Sequence, residues 1–280
     1  MALPTFRDVP KGTTDLSTVT INDTNYLQFS EGDQTITAGN NLSALTQGLS
    51  GLKFGKQAQV NIPASSALRV DVDDVSTDYS PILLYESNGG TVWMYPGGDE
   101  SLISRVKHLG AGYLGFMTGG TVTNHEQRAG TGYFTGDVAL TNCYHGGGNL
   151  TLKYKSTVVT LLNQDGGTIN SERGVTTAWL AGGVSNWRKE DTAGSPPGAT
   201  TIYCLGTHRA TWQLGDITTL HLRGPNAVFD ISKIIRPITI GTLVIDSLAL
   251  RNPANNILKA AQFGVTISAK TVLYDEADTI

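Results

Sequence analysis

Two thiols and two imidazoles stand close together along the chain, as Cys143-x-His145 and Cys204-x3-His208. These are the donors of tetrahedral zinc. If the first pair lies on a strand, both side chains leave from one face. The spacings fit no zinc finger, and two cysteines are too few for a disulfide framework. The expectation is buried cysteines, acting as small hydrophobes, beside exposed histidines. Asp71-x-Asp73-Asp74 with Asp78 gathers carboxylates of the kind calcium takes, but lacks the glycine and closing glutamate of a calcium loop. It reads as a solvated acidic loop.

Paired carboxylates could cleave a glycan. The candidates are Glu86, Glu126, Asp137, Asp165 and Glu172. A repeat of 18–20 residues would stack Glu126 and Asp165 two coils apart on one face. Trp179, Trp187 and Trp212 could give a sugar a stacking platform, although tryptophan more often fills a core or an interface. Gly110-x-Gly112-x-x-Gly115 has the form of a dinucleotide fingerprint. That motif needs a helix to follow, so that helix-end amides meet the pyrophosphate. Phe116-Met117-Thr118-Gly119-Gly120 opens no helix, and a turn is expected. There is no Gly-x-Ser-x-Gly elbow. No catalytic residue, cofactor or metal is assigned, and the chain is not expected to be an enzyme.

The elements that would carry these residues are short and strand-like. Gln57–Ile62 and Ala67–Val72 alternate apolar and polar residues between turn residues. A glycine turn followed by a short strand then recurs: Asn88–Gly90 before Thr91–Tyr95, Gly119–Gly120 before Thr121–Asn124, Gly146–Gly148 before Asn149–Tyr154, Gly166–Gly167 before Thr168–Asn170. Gly198, Gly215 and Gly241 precede Thr201–Leu205, Thr218–Leu222 and Thr242–Asp246 in the same way. Gly110–Leu114 (GAGYL) returns as Gly130–Phe134 (GTGYF), a shift of 20, and Thr121–Asn124 (TVTN) as Ala139–Asn142 (ALTN), a shift of 18. Periods in this range indicate solenoids. One coil cannot bury its inward side chains alone, so coils stack roughly 4.8 Å apart and share one core.

The expected fold is therefore all-β, a right-handed parallel β-helix with terminal arms. The alternative is a β-sandwich or jelly roll with strands every 8–12 residues. Residues 1–55 are read as an N-terminal arm and cap, 56–252 as the β-helix, and 253–280 as a C-terminal cap or arm. Met1–Leu16 has two prolines and no period, and reads as an extended arm. Leu42–Phe54 and Ile257–Phe263 have the spacing of short helical turns, and Gly264–Tyr274 reads as a final strand or arm. Glu190–Thr200 (EDTAGSPPGAT) reads as an insertion at a turn.

Composition agrees. The chain holds 33 Gly and 35 Thr in 280 residues, with only 16% charged residues. Helix bundles prefer Ala, Leu, Glu and Lys, and disorder is disfavoured by 39% hydrophobic residues at a net charge of −4. That charge provides no basic face for nucleic acid. The apolar runs are far below the ~18 residues of a membrane span. No charged-then-apolar leader opens the sequence, so synthesis and retention in a cytoplasm are expected.

A Gly/Thr-rich parallel β-helix with an extended proline-containing arm resembles the virion proteins of tailed bacteriophages. The resemblance spans roughly residues 56–252 and rests on the Gly-Gly-Thr-Val and Gly-x-Gly-Tyr repeats. Two subgroups fit: capsid decoration (cement) proteins, and tailspikes or fibres that bind or cleave bacterial surface polysaccharide. The chain length favours decoration. The resemblance implies a homotrimer on the capsid surface, bound to the major capsid protein and stabilising the head. Phe6 and Arg7 are the arm residues expected to touch the capsid, because aromatic and arginine anchors dominate interfaces. No family catalytic residue carries over, because no matching motif is present.

Overall fold

The computed structural model describes the backbone of strands Thr5–Val9, Asn25–Phe29, Gln34–Ile36, Ala58–Ile62, Ala67–Val72, Ile82–Ser87 and Thr91–Pro96. It also describes residues 102–108, 110–117, 119–188, 196–224, 226–246, 258–259 and 264–273, with side chains at 106, 108 and within 110–246 and 264–272. The chain is a parallel β-solenoid with no helix among the described residues. Each coil contributes one strand to each of two sheets, and every described pairing is parallel. Parallel pairing throughout excludes the antiparallel sandwich. Two compact units divide it, residues 1–151 and 152–280.

In the first unit the strands of one sheet run, in spatial and sequence order, Thr5–Val9, Asn25–Phe29, Ala58–Ile62, Ile82–Ser87, Leu102–His108, Thr121–Gln127 and Ala139–His145. The other sheet takes the strands between them, among them Tyr113–Phe116 and Thr131–Phe134. Phe6 and Arg7 thus lie in a strand that pairs with Asn25–Phe29, Phe6 opposite Tyr26 and Arg7 opposite Leu27. The segment is extended, as expected of an arm, and it is also the first strand of a sheet. Strand pairing therefore begins well before residue 56.

In the second unit one sheet holds Val159–Gln164, Val175–Leu180, Ala199–Leu205, Ile217–Arg223, Ile238–Asp246 and Val265–Leu273. The other holds Thr168–Ser171, Val184–Trp187, Arg209–Trp212, Val228–Asp230 and Leu258–Lys259. The final strand predicted at Gly264–Tyr274 is present. Of the helical turn predicted at Ile257–Phe263 only Leu258 and Lys259 are described, and these pair as strand with Phe229 and Asp230. A neighbouring strand edge offers hydrogen bonds that outweigh a weak local preference. Gly241 does not precede a strand but lies inside one, where a Cβ would come 2.7 Å from the Thr218 carbonyl oxygen of the coil beside it. The predicted helix at Leu42–Phe54 lies outside the described residues.

Register tests the repeat directly. Thr121 pairs with Ala139 and Asn124 with Asn142, the predicted shift of 18. Tyr113, however, pairs with Thr131 and Phe116 with Phe134, also 18 apart, so the GAGYL/GTGYF match is two residues out of register. A slip of two keeps every side chain on its own face, which is why the wrong alignment looks sound in sequence. The coil from Val159 to Val175 takes 16 residues and the next, from Val175 to Ala199, takes 24. The extra length falls at Glu190–Thr200, as predicted for an insertion.

The long strands do not alternate strictly. Val175 is buried, Thr176 and Thr177 are both partly exposed, and Ala178 is buried again. Ala199–Leu205 and Ile217–Arg223 repeat this step with Thr200-Thr201 and Thr218-Thr219. Because these coils make the step at the same register position, pairing is undisturbed. The turns are equally constrained. Gly130 and Gly148 have φ of 68° and 77°, a region that side chains rarely adopt. A Cβ at Gly130 would also strike the Gly112 carbonyl oxygen, and one at Gly148 the Gly130 carbonyl oxygen.

Candidate functional site

Three constellations collect the chemistry-bearing side chains. The first lies inside the first unit, between residues 106 and 150. Gln127 ends its strand pointing inward, with His108 and His145 as its register partners on either side. His125 sits one inward position earlier, between Val106 and Cys143. All four polar side chains are buried. Gln127 Nε2 donates to the carbonyl oxygens of Gly130, 3.1 Å, and Asn149, 2.9 Å. His125 Nε2 donates to Gln127 Oε1 at 3.3 Å, and His108 Nε2 to the Gly112 carbonyl at 3.1 Å. These donors satisfy carbonyls that the tight turns leave facing inward, which is what a buried polar group requires. Phe116 and Phe134 stack at 4.4 Å, and the His125 ring stands on edge against Phe134.

The sequence carries a signal for this row that the spacing of thiols and imidazoles obscured. Gln127-x-x-Gly130, His145-x-x-Gly148 and Gln164-x-x-Gly167 each place an inward donor three residues before a turn glycine. In the second unit Gln164 Nε2 donates to the Gly166, Gly167 and Val184 carbonyls in the same manner. His145 and His208 were expected to be exposed and are fully buried. At His208 a turn carbonyl, that of Gly182, makes the interior a good place for an imidazole.

The second constellation lies inside the second unit. His208 Nδ1 donates to the Gly182 carbonyl at 2.8 Å, which leaves Nε2 to accept from Ser185 Oγ, also 2.8 Å. Trp187 Nε1 donates to the same hydroxyl at 2.9 Å. A serine bonded to an oriented imidazole has the form of a nucleophile and its base. Here the orienting group is a backbone carbonyl, and Ser185, His208 and Trp187 are all fully buried. No substrate reaches such a hydroxyl, so the network is structural. Trp187 packs on Trp212, ring centroids 5.3 Å apart.

The third constellation is external. Trp179, Tyr203 and His221 are consecutive register partners. Their rings stack at 3.8 Å and 4.4 Å, within 14° of parallel. Beside them Thr177, Thr201, Thr219 and Thr242 form a second row in register. Trp179 is 41% exposed, but Tyr203 covers one face of its indole, and the ladder presents ring edges to solvent. Of the three tryptophans that could have formed a sugar platform, Trp187 and Trp212 fill the core, the commoner place for tryptophan, and only Trp179 is outside.

The remaining candidates are placed as follows. Cys143 and His145 do share a face, the inward one, and burial pushes both the Cys143 and the Cys204 thiol up to about 12. Among the described residues no group of three His, Cys, Asp or Glu side chains is arranged to hold a metal. Glu126 pairs with Arg128 at 3.0 Å, and the Arg128 guanidinium lies 4.5 Å above the Tyr144 ring. Glu172 pairs with Lys153 at 2.8 Å. Asp137 and Asp165 are exposed in turns. Glu126 and Asp165 do not occupy equivalent places: the strands ending in Gln127 and Gln164 match Glu126 to Asn163 and Asp165 to Arg128. Gly115 is buried in the strand Tyr113–Phe116, with no helix after it. Asp71, Asp73, Asp74, Asp78 and Glu86 carry side chains outside the described residues, as do Phe6 and Arg7. No known family model, curated protein or solved structure matches the chain.

Proposed function

We propose that the chain is a structural virion protein, a trimeric decoration or cement protein on the outside of a phage head. Its partner would be the major capsid protein, and its work mechanical. The observation that carries this reading is the outer face of the second unit's long strands. There threonine hydroxyls and a stacked aromatic ladder repeat in register, with few charges and no catalytic grouping. Regular, rigid contacts of this kind sum over many symmetric copies. In this reading the protein is made in the host cytoplasm and joins the capsid surface, with Phe6 and Arg7 as contact residues.

Co-sedimentation with isolated empty capsids tests the proposal, and analytical ultracentrifugation tests the trimer. Binding at defined stoichiometry, weakened by the double substitution Phe6→Ala and Arg7→Ala, is the expected result. A protein that ignores capsids but binds or depolymerises a bacterial polysaccharide belongs instead to the tailspike or fibre class.

A further inference from the structure

We infer that the interior of the first unit is an acid-sensing lock, in which protonation of His108, His125 and His145 releases the coils between residues 102 and 150. The inference goes beyond the proposed role and does not depend on what the outer face binds. It starts from register. His108 and His145 flank Gln127, and His125 stands between Val106 and Cys143. Three imidazoles are thus shut into adjacent coils of one core.

The direction of the hydrogen bonds decides where an added proton goes. The Nε2 nitrogens of His108 and His125 already donate, to the Gly112 carbonyl and Gln127 Oε1. The second proton must enter at Nδ1. At His125 that nitrogen is buried and has no hydrogen-bond partner, so protonation creates an unpaired N–H beside Phe134. Among the described residues, no counter-charge faces the His125 ring, whose charged neighbours are the other two imidazoles. Cys143 is its register partner on the strand Ala139–His145, and the Phe116 and Phe134 rings pack against it edge-on from the other sheet. Among the described residues no Asp or Glu is buried with them. Tyr85 holds the register position of His108 on the preceding strand. Glu126 and Arg128 pair with each other instead, on the outward side. Charging one imidazole also opposes charging the next, since all three share the same core.

Burial accordingly holds His108 and His145 down at about 4 and His125 at about 3. Above pH 6.5 both folded and unfolded chains are neutral at these sites, and nothing is gained or lost. Between 6.5 and about 4 the unfolded chain takes up protons that the folded one refuses, so stability falls as pH falls. The second unit has one buried histidine, His208, with half-buried His221. It should respond less.

Gln is a ready replacement, because Gln127 and Gln164 already serve turn carbonyls from the same place in their coils. Peptide-resolved hydrogen exchange on the full chain, corrected for intrinsic rates, reads the opening of each unit from pH 7 to 4. For residues 102–150 the opening constant should rise by up to about a thousandfold per pH unit, three protons' worth. In the double variant H108Q/H145Q the rise should fall to about tenfold. An unchanged acid response in that variant, or first opening in residues 199–246, would overturn the inference. Ring-proton NMR of the unsubstituted protein gives a second check: the three rings should stay neutral to below pH 5, and a ring of this cluster titrating near 6.5 in the folded protein would sink it.

Discussion

The two units follow one coil plan and fill it with different chemistry. In the first, the inward position that ends the long strands with described side chains is His108, Gln127 and His145. In the second, after Gln164, it is Leu180, Cys204, Leu222 and Ile245. The first core ties inward-facing carbonyls to side-chain donors. The second removes most such donors, keeps the Ser185–His208–Trp187 network, and packs Trp187, Trp212 and Phe229. A solenoid interior therefore tolerates polar groups where a turn carbonyl is in reach, and prefers aromatic volume where none is. Hydrogen bonds are directional and leave a penalty when broken, whereas apolar burial scales with area.

Substitutions can break that contrast in graded ways. The largest effect is expected from Trp212→Ala, which empties a fully buried indole site and should cost about 3–5 kcal/mol. Chemical denaturation gives the total, and hydrogen exchange should place the loss in residues 152–246. Gly130→Ala comes next in the first unit, at about 1–3 kcal/mol for a side chain at positive φ, plus the displacement of the Gly112 carbonyl. Gln127→Leu gives the first unit the residue type the second uses at this position. It leaves the Gly130 and Asn149 carbonyls without that donor and should cost about 1–3 kcal/mol. An unchanged denaturation midpoint would mean that the polar row is incidental. Trp179→Ala should be mildest, about 1 kcal/mol or less, since it removes one stacking contact from an exposed ladder. A thermal melt within a few degrees of the parent, with weakened capsid binding, would separate the outer face's role from stability.

Much of this plan was legible in the sequence. Gly–Thr turns, short strands and the match of Thr121–Asn124 to Ala139–Asn142 specify stacked coils, and the Pro-rich Glu190–Thr200 marks its own insertion. The GAGYL/GTGYF match misled by two residues because identity and register are different quantities. The polarity of an imidazole suggests solvent; His145-x-x-Gly148 repeats the inward Gln-x-x-Gly pattern, but no local pattern reveals that the Gly182 carbonyl awaits His208 across the coil. Cysteine behaved as expected because burial of a thiol needs no partner.

Sequence alone determined the class of fold: inward apolar positions at a repeating interval, with glycine at turns, leave a stack of parallel coils as the way to bury them. Only tertiary structure decided which residues meet. Pairing in register brought Trp179 onto Tyr203 and Tyr203 onto His221 outside, and Ser185 onto His208 inside, across separations of 18 to 24 residues. Those distances depend on the length of every intervening turn, and a single coil lengthened from 16 to 24 residues resets them for everything that follows.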